Sequence, residues 1–287
     1  MIAAVEVIPE LDRLDVEGLN MIGNLNTAHD VIYDNIRYAV RQQHPQVWAQ
    51  QPHGEQAIIV CGGPSLNDTE HELVDLWHAG AKVFTCNGSY QWCLQRNIKP
   101  YAQVVIDARA FNKRFVEPNR ENVRYLLASQ SHPEIWDAVK DRPLVGIWHA
   151  VDKTDPAAAI LDDYYSKAWQ GISGGTTVGT RTIGLARAMG FLRMHVFGMD
   201  CCFLDDHGHA YAQPENDADQ RLLVNVYPEG RPDDGRVFTV APWHLKHMED
   251  TLRFIKHGGD YFALSVHGDG LLAYALSQHT MMETKEI

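Results

Sequence analysis

Apolar and polar positions along this 287-residue chain change period near residue 57. Before it, in residues 16–43, Leu19, Ile22, Ile32, Ile36 and Val40 recur at helical spacing with Asn-rich polar positions between them. This predicts two short helices or one broken one. After it, short apolar runs at 57–61, 82–86, 103–106, 125–128, 144–148, 194–197 and 261–265 alternate with helical segments. Such alternation predicts an α/β, Rossmann-like fold, with a mostly parallel sheet and helices on both faces. Residues 1–50 then form an N-terminal helical extension and residues 57–287 the sheet domain. A helix over 178–189 and another from about 244 to 256 follow from the same spacing. Thr69 and Glu72 have capping-box spacing ahead of Leu73, Leu76 and Trp77. The long polar stretch 203–240, with Pro214 and Pro232, breaks the rhythm and reads as a lid over a ligand.

In sheets of this kind ligands bind beyond the carboxyl ends of the strands, so the residues after each run are the candidates. The first run ends in Gly62-Gly63-Pro64-Ser65. Glycines let backbone N–H groups approach an anion, and a helix N-terminus adds donors and a favourable dipole. The turn lacks the Gly-x-Gly-x-x-Gly spacing of nicotinamide sites and the lysine of a Walker A loop. Asn87 follows the second run, where an amide suits a ribose, a base edge or a phosphate, or serves as an Asn-Gly turn. Asp107 and Asp200 each follow a run; they are candidates to hold Mg²⁺, bind a sugar or act as a base. Ser173-Gly174-Gly175-Thr176 forms a second small-residue loop before a helix. Among 15 histidines, His209 and His244 are the candidates for proton transfer. The adjacent Cys201 and Cys202 lack the spacing of a zinc site.

Charge and composition narrow the partners. The net charge of −12 counts against nucleic acid as a ligand, since such binding rests on Lys and Arg neutralising phosphates. The segment bearing Arg109, Lys113, Arg114, Arg120 and Arg124 reads as a solvated face. No apolar run approaches a membrane span, and the first residues lack the basic start of a secretory signal. The five cysteines suggest neither a disulfide framework nor a CxxC motif, which favours reduced thiols and a cytoplasmic location.

Residues 61–66, 83–87, Asp107, Ser173–Thr176, Phe197-Gly198-Met199-Asp200 and His209-Ala210, in this order, resemble one superfamily. It joins the MptE-like 6-hydroxymethylpterin diphosphokinases, the motility accessory factors of flagellin glycosylation and the Campylobacter-type sialyltransferases. The resemblance covers about residues 57–275. It implies a nucleotide in the crevice, with Gly62, Gly63, Pro64, Ser65 and Asn87 at its phosphates and ribose. It also implies that Ser173, Gly174, Gly175 and Thr176 lie against the donor. Asp107 looks like the diphosphokinase and motility-factor branch and would hold Mg²⁺. A histidine base is implied near His244 or His247. The expectation is a transferase moving a glycosyl group from a nucleotide-sugar, or a diphosphoryl group from ATP, to a small hydroxyl-bearing molecule or glycan. The N-terminal helices are expected to serve packing or contact with a second copy of the chain, as in a homo-oligomer. The competing classes are a non-catalytic binding or assembly protein on the same fold and a nucleic-acid-modifying transferase.

Overall fold

The computed structural model describes residues 27–213, 220–228, 232–258, 262–277 and 280–286. The early part of the expected N-terminal helices, including Leu19 and Ile22, lies outside these residues. Helix α1 (His29–Arg41) is followed by β1 (His53–Val60), α2 (Glu70–His78), β2 (Lys82–Cys86), α3 (Ser89–Gln95) and β3 (Ala102–Val105). Then come β4 (Arg124–Ala128), α4 (Pro133–Val139), β5 (Val145–Trp148), α5 (Ala158–Tyr165), α6 (Val178–Ala188) and β6 (Phe191–Phe197). The chain ends with β7 (Leu222–Pro228), β8 (Arg236–Val240), α7 (Pro242–Gly258), β9 (Ala263–Val266), α8 (Leu271–Ser277) and β10 (Thr280–Glu286).

Seven strands form one parallel sheet in the order β5-β4-β3-β2-β1-β6-β9. The strands are apolar on both sides because both sides are covered. Ile59, Phe84, Val104, Leu126 and Trp148 pack with Ile183, Met248 and Leu272 from α6, α7 and α8. On the opposite face, Ile58, Val60 and Val83 meet Leu73 and Trp92, while Tyr125, Leu127 and Ile147 meet Ile36, Trp136 and Leu161. The chain runs outward from β1 to β5, then returns to place β6 on the other side of β1. The order therefore reverses between β1 and β6, and that is where a doubly wound sheet opens a ligand crevice.

Helix α1 packs onto the sheet domain: Ile36, Ala39 and Val40 are fully buried in the core that covers β4 and β5, and Val47 N–H donates to Ile147 O at 2.8 Å. Two expectations need correction. The stretch 203–240 holds two strands: among its described residues β7 pairs with both β8 and β10 in a separate antiparallel sheet. Leu222, Val224 and Val226 face the core while Leu223 is exposed, a period-two pattern that marks a strand. The capping box does not form: the Thr69 hydroxyl donates to Ser65 O at 2.9 Å and Glu72 pairs with His267 at 2.8 Å.

Candidate functional site

The Gly62–Ser65 turn leaves β1 at the point where the strand order reverses, and β6 exits beside it. The two exits stay joined beyond their strands. Cys61 N–H donates to Phe197 O at 2.8 Å and Gly63 N–H to Gly198 O at 2.7 Å. Asp200 then closes the junction, accepting from Ser65 N–H at 2.9 Å on one oxygen and from the Ser65 hydroxyl on the other. A side chain at residue 63 would run into the Asp200 carboxylate and the Gly198 carbonyl, so the close approach requires glycine there. Asp200 is 3% exposed. Burial pushes its carboxyl up to about 6, against the opposing pull of the two Ser65 hydrogen bonds.

This arrangement uses Gly63 and Ser65 to hold the turn together and leaves Gly62 facing the crevice. The Gly62 N–H has no partner among the described residues. Asn87 lies at the end of the neighbouring β2 with a left-handed φ of 51°. Its side-chain oxygen is buried without a partner. Helix α6 starts at the same edge, with Gly179 packed on Cys61 and Met199. A backbone donor, an amide and the positive end of a helix dipole therefore lie at the same edge of the sheet, and the donor and the dipole are the chemistry that receives an anion.

The other predicted residues fall in different places. Asp107 follows β3, three strands from β6, so roughly 14 Å of sheet separates its position from that of Asp200. The two carboxylates do not share a site. Asp107 instead accepts from Arg109 Nε at 3.0 Å and from the Arg109 guanidinium again at 2.6 Å. The Ser173–Thr176 loop rests on α6 and α7: Thr176 N–H and hydroxyl donate to Asp250 at 3.0 and 2.7 Å, and Arg181 Nε donates to Gly175 O at 2.8 Å. His244 is buried, and its Nδ1 accepts from Ala241 N–H at 2.9 Å at the start of α7. Burial lowers its basicity, as it does for His247, whose pKa falls to about 4. His209, by contrast, reaches the Gly62 turn and lines the cavity above it.

Among the described residues no group of three or more His, Cys, Asp or Glu side chains converges to hold a metal ion. Asp107 would have to part from Arg109, and Asp200 from Ser65, to reach one. The described residues do not by themselves assemble a protein-held Mg²⁺ site.

Two residues at the site escape a reading of the turn motifs. Gln103 is fully buried in β3, accepts from the Thr85 hydroxyl at 2.6 Å, and donates to Asn87 O at 2.9 Å and Phe115 O at 2.8 Å. A lone amide inside an apolar strand is its sequence signal, and it fixes the Asn87 turn. Tyr211 lies over Gly62 and Gly88, two residues beyond His209, and nothing in its neighbours singles it out.

A family model described as 6-hydroxymethylpterin diphosphokinase MptE-like matches residues 30–206. The chain belongs to the MptE-like family. The match begins inside α1, earlier than residue 57, in keeping with the packing of that helix into the core. It takes in the Gly62 turn, Asn87, Asp107, the Ser173–Thr176 loop and Asp200, and stops short of His209 and Tyr211. A solved structure, the MAf glycosyltransferase from Magnetospirillum magneticum AMB-1, resembles this MptE-like chain with a TM-score of 0.58 at 16% identity. The likeness covers 90% of this chain and 43% of that one, so the chain spans less than half the length of its neighbour. At that identity it shows the α/β fold, shared with a protein named for glycosyl transfer. No curated protein matches the sequence. Among the described residues no helix is long and apolar enough to cross a membrane.

Proposed function

We propose that the chain is a transferase that binds a nucleotide donor at the switch point between β1 and β6 and passes a group from it to a hydroxyl-bearing acceptor. The observation that carries this reading is the unpartnered Gly62 N–H and the buried, unpartnered Asn87 side-chain oxygen at the ends of adjacent strands, beside the point where the strand order reverses. The Gly62 N–H and the start of α6 would receive the donor phosphates, and Asn87 the ribose or base. Asp200 and Ser65 hold that cradle in shape, and Gln103 holds Asn87; these three act before the donor arrives. Preorganised donors of this kind favour the charge that develops on the leaving phosphate. His209, at the mouth of the crevice, would take the proton from the acceptor hydroxyl. Asp107, paired with Arg109, would orient the guanidinium toward the outer end of the donor.

The family is named for a diphosphokinase and the structural neighbour for a glycosyltransferase, and both names describe transfer of a group to an acceptor. The transferred group, glycosyl or diphosphoryl, follows from the donor. A thermal-shift panel of CMP, UDP, GDP, ADP and ATP, each with and without Mg²⁺, identifies it. One nucleotide at 100 times its dissociation constant should stabilise the protein by about 2.7 kcal/mol. A panel in which none shifts the midpoint contradicts the reading and favours a binding or assembly protein.

A further inference from the structure

A segment of the chain itself lies in the proposed donor crevice. Beyond the exit of β6, Leu204 and His207 exchange backbone hydrogen bonds of 3.1 and 2.9 Å around Asp205-Asp206, and the chain turns back over β1. Ala210 N–H donates to Gly62 O at 2.9 Å, and Asn67 Nδ2 donates to Ala210 O at 3.4 Å. These bonds seat Tyr211 against the glycines that follow the first two strands. A Cβ on Gly62 would lie 2.5 Å from the Tyr211 hydroxyl oxygen and 2.9 Å from the His209 ring. A Cβ on Gly88 would lie 2.5 Å from Tyr211 Cε2. The ring therefore needs bare backbone at 62 and 88, which a phosphate at this turn needs too. Both cannot be there at once.

A lid covers a bound ligand, whereas this ring stands in the ligand's place. We propose that Tyr211 is an internal plug of the donor crevice, and that the donor enters only when the strap 203–213 swings away from Gly62 and Gly88. The proposal rests on the donor-site reading above. A cavity of about 700 Å³, lined by Tyr211 itself together with Asn67, Asp68, Phe203, His207 and Arg221, gives the ring room to move. The plug sets donor affinity, because the apparent dissociation constant rises as the open fraction falls. It also covers Gly62, which directly follows the buried Cys61.

The test compares wild type, Tyr211→Phe and Tyr211→Ala in two measurements. The first is the rate at which a small thiol reagent labels Cys61, read by peptide mass spectrometry. The second is calorimetric binding of inorganic pyrophosphate. Tyr211→Ala should label Cys61 at least about tenfold faster and bind pyrophosphate about tenfold more tightly, with Tyr211→Phe like wild type, because the ring and not the hydroxyl closes the crevice. Equal labelling in all three proteins overturns the plug. Faster labelling with unchanged or weaker pyrophosphate binding overturns its placement in the ligand's position. Faster labelling with no pyrophosphate bound by any of the three leaves the ring as a seal and overturns the donor-site reading instead. Should Tyr211→Ala not melt cooperatively, hydrogen exchange of residues 209–213 in wild type decides: pyrophosphate should speed it, and slowing would make the strap a lid.

Discussion

Replacing Asp200 by asparagine tests the most unusual electrostatic feature of the site. The carboxyl is 3% exposed and its pKa is pushed from 3.8 up to about 6, chiefly by burial. At about 1.4 kcal/mol per pH unit, that difference means the ionised form costs the folded protein about 3 kcal/mol at pH 7 relative to the neutral acid. The sign follows from proton linkage. A carboxyl raised in the folded state gives stability that is fully present below pH 3.8 and is lost as pH rises through about 6. Asparagine keeps an acceptor for Ser65 N–H and offers an N–H to the Ser65 hydroxyl, without the charge. Thermal melts of wild type and Asp200→Asn from pH 4 to pH 8 should therefore diverge. The variant should gain relative stability across pH 4 to 6 and then hold a lead approaching about 6 °C in Tm, an upper figure since charged hydrogen bonds are lost. A gap that does not change with pH, or a variant less stable than wild type at pH 8, would refute the reasoning. In that case the hydrogen bonds from Ser65 outweigh the burial of the charge.

Four further substitutions probe the rest of the site. Gly63→Ala forces a Cβ onto the Asp200 carboxylate and the Gly198 carbonyl; it should cost about 2 kcal/mol or more by urea denaturation and abolish nucleotide binding. Thr176→Val removes the hydroxyl bond to Asp250 and should lower stability by about 1 kcal/mol while leaving nucleotide affinity within threefold, as calorimetry can check. A larger loss of affinity would place the Ser173–Thr176 loop in direct contact with the donor. His209→Asn should reduce single-turnover transfer from the donor by about a hundredfold with donor affinity kept, as expected for loss of a general base. His244→Asn should mainly lower Tm, because the ring is buried against the start of α7.

The parallel sheet was legible because its inner strands are largely buried on both faces and read as apolar runs; all seven runs correspond to β1–β6 and β9, the last a partly exposed edge strand. The strands β7 and β8 were obscured by the prolines and acids around them, although Leu222, Val224 and Val226 carry the alternation. The Gly62–Ser65 turn and Asn87 were visible as strand-ending residues, and topology brings them together. That Ser65 and Asp200 bind each other depends on β6 lying beside β1, a pairing of positions 135 residues apart that local pattern does not contain. For the same reason Asp107 and Asp200 look equivalent in sequence, each ending a strand, yet sit three strands apart. Thr69 and Glu72 show the reverse case, where a local motif is outcompeted by another local partner, Ser65 O, and by a tertiary one, His267.

The central claim is that a nucleotide occupies the crevice between the ends of β1, β2 and β6. Hydrogen exchange with the nucleotide selected by the thermal-shift panel tests it most directly. Bound nucleotide should slow exchange at residues 62–66, 87–89 and 178–180 and leave the β7–β8–β10 sheet unchanged. Protection confined to that small sheet or to the α1–α4–α5 face would contradict the assignment of the switch point as the donor site.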